Sequence, residues 1–216
     1  MPTIPIIIIG AGEHSQVLID TLQLLNNKIL GLTDIATERH RTAILDVCIL
    51  GPDELILSHS ANEVHLVNGV ASVGRPDLHR KIFETWIAHG YQFSDVIHPA
   101  SVLSPHISTG RGMQIMAGAI VQPGVTLGDN TILNTGSQVD HDCIIGDHTH
   151  ISVGATLCGH VCVEHACHIG AGATIVQGVT IGAESVVGAG AVVICDIPPG
   201  SKVVGVPAVP IGKNKR

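Results

Sequence analysis

The sequence predicts two folds in series: a small α/β domain, then a parallel β-helix built from six-residue repeats. Three observations point there. From Ile97 to Pro198 an aliphatic residue returns at every sixth position, with Thr109 the one exception. Ahead of that repeat, apolar runs alternate with helical patterns, and a glycine-rich turn follows the first run. All four aromatics, Phe83, Trp86, Tyr91 and Phe93, lie just before the repeat, which has none.

Taken in order, Ile4-Pro5-Ile6-Ile7-Ile8-Ile9 reads as a strand buried on both faces, because it is apolar without alternation. It runs into Gly10-Ala11-Gly12-Glu13-His14-Ser15. A helix pattern follows, with Val17, Leu18, Leu22 and Leu25 on one face. A second strand, Ile29 to Thr33, ends at Asp34, and Val64 to Val70 is a third. Gly74-Arg75-Pro76-Asp77 leads into a helix reaching about His89. Strands alternating with helices imply a parallel sheet of βαβ units.

The glycine-rich turn has the form G-x-G-x-x-S, with Ser15 where a dinucleotide fingerprint has its third glycine. Asp34 stands where an acidic residue would meet a ribose or base. Amides from Gly12 to Ser15 at a helix start can hold a phosphate, with His14 as a further donor. The alternative is a tight turn with a helix cap and an exposed histidine. The domain is too short for a complete two-half dinucleotide fold, so a mononucleotide or nucleotide sugar fits its size better.

In the repeat, a period of six excludes a helix, whose apolar spacing is three and four. Six residues suit one short strand and one corner. Three such sides close a triangular coil of 18 residues, and coils stack at strand spacing. Residues 18 apart therefore share a column. The position four after each aliphatic residue is mostly small, as at Ala119, Ser137, Ala155, Cys167 and Ala191, where the chain bends.

Composition narrows the function. The net charge of −7 argues against nucleic acid as the main partner. Within residues 97–198 the only lysine or arginine is Arg111, and the chain ends on a basic tail. No stretch is long enough to span a bilayer, and no secretory signal is seen. The six cysteines form no CxxC pair and read as small packing residues in a reducing cytoplasm.

Several stretches carry a resemblance: Gly10-Ala11-Gly12-Glu13-His14, Ile97-His98-Pro99-Ala100, Leu133 to Cys143, His150 to Ala155, and the closing Val204-Gly205-Val206-Pro207-Ala208. With them the chain resembles the bacterial hexapeptide-repeat nucleotide-sugar N-acetyltransferases, such as the UDP-4-amino-sugar enzymes of the bacillosamine pathway and GDP-perosamine N-acetyltransferase. Sialic acid O-acetyltransferases share the architecture. The resemblance implies a Rossmann-like domain over residues 1–94 that binds the nucleotide sugar. It implies a left-handed parallel β-helix over 95–198, with a tail over 199–216. It further implies acetyl-CoA as co-substrate, a homotrimer with the coenzyme bound between β-helices, no metal, and a role in surface glycan or glycoprotein sugar synthesis.

By the same resemblance, His141 is the general base, the acidic residue after it, Asp142, orients the imidazole, and His150 lies near the acetyl group. Relatives often carry Glu at the Asp142 position. The column rule adds Gly159, stacked on His141, with its backbone N–H a candidate donor to the thioester carbonyl. It also adds a column of small side chains, Val153, Ala171 and Ala189, suited to the pantetheine arm. The nucleotide-sugar site is expected at Gly10, Ala11, Gly12, His14, Asp34, Gly74 and Arg75. Two rivals remain open at this point. One is O-acetylation of a sugar or sialic acid. The other is a histidine-bound zinc as in γ-class carbonic anhydrase, with His148, His160, His165 and His168 on turns as ligands.

Overall fold

The structure, a computed structural model, describes residues 4–71 and 76–211. It divides into two compact units, Met1–Pro99 and Ala100–Arg216. Gly74 and Arg75, and the tail from Gly212 onward, lie outside the described residues.

The first unit holds β1 (Ile6–Ile9), α1 (Glu13–Leu24), β2 (Ile29–Thr33), β3 (Ala43–Ile44), β4 (Val47–Gly51), β5 (His65–Asn68), α2 (Pro76–Ala88) and β6 (Gln92–Phe93). The sheet order is β3-β4-β2-β1-β5-β6. All pairs are parallel except the β3–β4 hairpin. β1 is central and fully buried, as its unbroken apolar run requires. Burying four isoleucines there contributes roughly 1.5–3 kcal/mol per side chain.

Two details differ from the sequence reading. The buried face of α1 is Leu18, Ile19 and Leu22 with Ser15 and Thr21, whereas Val17 and Leu25 are exposed. The helix lies one position round from the expected stripe, because Ser15 anchors its first turn inward. The β3–β4 hairpin was not foreseen: it is short, and its turn at Leu45 and Asp46 has positive φ without a glycine. The aromatics do form one core. Phe83, Trp86, Tyr91 and Phe93 pack with Ile7, Ile9, Ile56, Val64 and Leu66. The Tyr91 hydroxyl donates to the carbonyls of His59 (2.7 Å) and Ile56 (3.0 Å).

The second unit is a left-handed parallel β-helix of two-residue strands on three faces. The first face carries Gln114–Ile115, Ile132–Leu133, His150–Ile151, His168–Ile169 and Val186–Val187. The second runs from Val102–Leu103 to Val192–Val193, and the third from Ser108–Thr109 to Thr180–Ile181. Every pair keeps the 18-residue register, for example Ile120↔Gln138, Ile144↔Cys162 and His150↔His168. The repeated aliphatic residue points inward, so Leu133, Ile151, Leu157, Ile169 and Ile175 are wholly buried. Thr109, the exception, lies exposed on the edge strand of its sheet, where no coil covers it. At the far end Lys202–Val204 adds a parallel strand and folds back antiparallel onto Val209–Pro210. No helix among the described residues is long and apolar enough to cross a membrane.

Candidate active site

Each coil turns at three corners, and the second residue of each corner takes a left-handed conformation. Glycine fills it at Gly118, Gly124, Gly136, Gly154, Gly172, Gly178 and Gly190. At the corner after the second face, two larger residues take this position: Asp142 and His160, both with φ of 58°. The first residues of this corner are His141 and Gly159.

The stacking places these four groups together. His160 N–H donates to the His141 carbonyl (2.9 Å), and Gly178 N–H to that of Gly159 (3.0 Å). His141 Nδ1 lies 2.9 Å from Asp142 Oδ2. A carboxylate only accepts, so Nδ1 carries the proton and Nε2 keeps its lone pair. That hydrogen bond to Asp142 holds the His141 pKa above the ordinary 6.5, helped by the charges of Asp140 and Asp142 and opposed by desolvation. Asp140 Oδ1 also accepts the His141 backbone N–H (2.8 Å). About half of each side chain is exposed: 48% for His141 and 52% for Asp142. An aspartate therefore reaches the imidazole without the extra methylene of glutamate.

Gly159 packs directly on the His141 ring. A Cβ there would stand 2.6 Å from both Cε1 and Nε2 of His141. Its N–H meets no acceptor among the described residues. The arrangement supplies an open imidazole lone pair, a carboxylate fixing its tautomer, and the Gly159 backbone N–H close by. These are the parts of a general-base acyl transfer.

The other expected coenzyme residues stand elsewhere. Val153, Ala171 and Ala189 do form an exposed column, linked by Gly172 N–H to Val153 O (2.9 Å) and Gly190 N–H to Ala171 O (2.8 Å). It occupies the corner before the second face, at the opposite end of that face from His141. His150 is buried on the first face, 3.2 Å from the Asn134 amide through Nε2, with its ring 5.0 Å from that of His168 and perpendicular to it. The four histidines weighed as metal ligands are scattered. His148 and His165 sit at the third corner, His160 at the second, and His168 on a strand. Only His141, Asp142 and His160 bring three metal-ligating groups together among the described residues, with ligand atoms within 4.8 Å of one another. Arg111 is held by Asp129, its Nη2 2.5 Å from Oδ2.

In the first unit, the turn after β1 is built as a cradle. Gly10 has φ +91°, and a Cβ there would meet Val70 at 2.7 Å. Gly12 caps α1, and a Cβ there would meet nothing within 4 Å. Ser15, at the third glycine position, is buried, and its hydroxyl donates to Gly10 O (2.7 Å) and Gly69 O (3.2 Å). Asp34 accepts the N–H of Ala11 (3.2 Å) and of Ala36 (2.8 Å) and pairs with Arg39 (3.2 Å). Its carboxylate thus closes the loop from below. Sequence reasoning missed Arg39 and also Asn68, whose amide donates to His79 O (2.9 Å) and orders the exit of β5. It missed Asp140 and the pairing of His160 with Asp142, although the column rule places His160 over Asp142.

The comparisons decide the family. A profile described as the PglD N-terminal domain matches residues 5–86, and one described as the hexapeptide repeat of succinyl-transferase matches 160–195. The crystal structure of PerB from Caulobacter crescentus, in complex with CoA and GDP-perosamine, is 33% identical over 96% of this chain and 97% of that one, with a TM-score of 0.88. The chain belongs to the hexapeptide-repeat nucleotide-sugar N-acetyltransferases. The acetyltransferase domain of PglB from Neisseria gonorrhoeae, in complex with acetyl coenzyme A, is 34% identical over 97% of this chain and all of that one, with a TM-score of 0.88. WeeI from Acinetobacter baumannii shares the fold at 24% identity, a TM-score of 0.85, and coverage of 97% of this chain and 100% of that one. No curated protein sequence matches the chain. This family member is an enzyme, an acetyltransferase.

Proposed function

We propose that this acetyltransferase transfers the acetyl group of acetyl-CoA to the amine of a nucleotide-linked amino sugar, with a UDP-4-amino sugar as the expected acceptor. The observation that carries the mechanism is the His141–Asp142 pair, with Nδ1 held at 2.9 Å and Nε2 left open beside Gly159. Nε2 of His141 takes a proton from the attacking amine as the C–N bond forms. The Gly159 N–H donates to the developing oxyanion. Collapse breaks the C–S bond, and the imidazolium returns the proton to the departing thiolate. Asp142 keeps the imidazole in one tautomer and supports its charge.

In this reading the cradle of Gly10, Ala11, Gly12 and His14 takes the sugar nucleotide's phosphates, at the start of α1. Asp34 shapes that cradle through Ala11, and we assign Gly74 and Arg75 to the binding of the same ligand. The assembly is a cytoplasmic homotrimer serving glycan synthesis, with the coenzyme in the groove between neighbouring β-helices. A groove between protomers lets the His141–Gly159 corner and the Ala171–Ala189 column line one coenzyme, although they stand at opposite ends of one face. His150 supports the acetyl end from the first face. Exposed Val102, Ile144 and Ile194 supply apolar surface for such packing.

The test is thiol release from acetyl-CoA with UDP- and GDP-linked 4-amino sugars, sialic acid and the matching hydroxy sugars, ranked by kcat/KM. An amide product with a 4-amino sugar nucleotide is expected. Release with hydroxyl acceptors alone would replace N- by O-acetylation, and light scattering of a monomer would remove the shared groove.

A further inference from the structure

We propose that His160 is a positioning residue for the base: it packs on the His141 ring and shares the counter-ion that His141 uses. The inference rests on the reading of His141 as the base. Three observations carry it. The rings of His141 and His160 are perpendicular with centroids 5.2 Å apart, the edge-to-face geometry that aromatic rings prefer. His160 Nε2 stands 3.7 Å from Asp142 Oδ2, the same oxygen that accepts from His141. And His160 occupies a left-handed corner position, φ 58°, where Gly124 and Gly178 fill the same column. A large side chain stands there although glycine is the easier residue, as Asn130, His148 and Glu184 also do at the third corner.

The Asp142 carboxylate is therefore bounded on three sides. His141 lies beside it and His160 above it, and a Cβ on Gly124 below would overlap Oδ1. At 3.7 Å the His160–Asp142 contact is too long for a direct hydrogen bond. His160 acts through ring packing and through its approach to the shared carboxylate. The titratable groups facing His141 among the described residues are Asp140, Asp142 and His160. Removing His160 frees Asp142 for His141 alone and admits water to the imidazole. Both changes favour protonated His141, so the sign is fixed: its titration moves to higher pH.

The test uses His160→Gly and His160→Asn in the full chain. Both residues accept positive φ, so the fold is preserved. Read kcat against pH, and read the His141 titration directly by NMR of ¹⁵N-labelled protein, with His141→Ala run in parallel. The expected result is an acid limb displaced upward by roughly 0.3–1 pH unit, the scale of a modest gain in hydrogen bonding and solvation of the imidazolium. The plateau kcat falls severalfold, and KM for acetyl-CoA holds. A purely structural His160 would lower the melting temperature and leave the limb in place. An unmoved limb and an unmoved His141 titration in folded His160→Gly overturn the proposal. An acid limb that survives in His141→Ala instead overturns the base assignment beneath it.

Discussion

Gly159→Ala is the sharpest probe of the site, because its effect follows from one distance. Gly159 is not among the residues with positive φ, so alanine is conformationally permitted there. The added methyl would lie 2.6 Å from Cε1 and Nε2 of His141, about 1 Å inside ordinary contact. Backbone does not need to move, since the imidazole is half exposed and swings away. Stability should hold or rise by about 0.4–1 kcal/mol through the unfolded chain. Catalysis should not hold. A displacement of about 1 Å in a catalytic group costs on the order of 10²-fold, about 2.7 kcal/mol in the barrier. The assay is thiol release from acetyl-CoA beside thermal melting, repeated in a His141→Ala background. There the methyl meets no ring, and the second substitution should add little to the first. A kcat within about threefold of the parent refutes the contact as a constraint on the base. An equal loss in both backgrounds moves the role of Gly159 to its N–H or to coenzyme access.

His141→Ala should lower kcat by about 10²- to 10⁴-fold in a folded protein, the usual cost of losing one positioned base; near-normal turnover would leave proximity as the whole of catalysis. Asp142→Asn should cost less and should shift the acid limb of kcat to lower pH, because the Asp142 hydrogen bond is the first cause of the raised His141 pKa. Gly12→Val, at a position with open space around its Cβ, should raise KM for the sugar nucleotide and leave KM for acetyl-CoA unchanged; equal effects on both would displace the nucleotide from this cradle. Burial holds the His168 pKa below the ordinary 6.5, so the stability it contributes is present above that pH and lost as pH falls below it. A melting temperature that does not decline between pH 7 and 5.5, or declines equally in His168→Gln, would refute that assignment.

The β-helix was legible in the sequence because its period carries the physics of the core. An inward aliphatic every six residues and a left-handed corner every six leave one register, and Ile120↔Gln138 and His150↔His168 obey it. The first domain was legible only where apolar runs were long. β1 was plain, but β3 and β6 have two residues each and carry no periodicity to read. The face of α1 was misjudged because Ser15 is polar and buried, a fact set by the carbonyls of Gly10 and Gly69 that it satisfies. The site shows the same division. Applied to His141, the step of 18 finds Gly159; applied to Asp142, it finds His160. What it cannot give is orientation. A step of 18 also joins His150 to His168, yet there His150 is buried and His168 half-buried against it, while His141 and His160 are about half exposed. The two histidine pairs thus differ in place: one lies on neighbouring strands of the first face, the other at the corner after the second face. The exposed pair shares the Asp142 carboxylate, the contact on which the proposed proton transfer at His141 depends. In the other pair burial lowers the proton affinity of His168, and its neighbour His150 faces the Asn134 amide rather than a carboxylate.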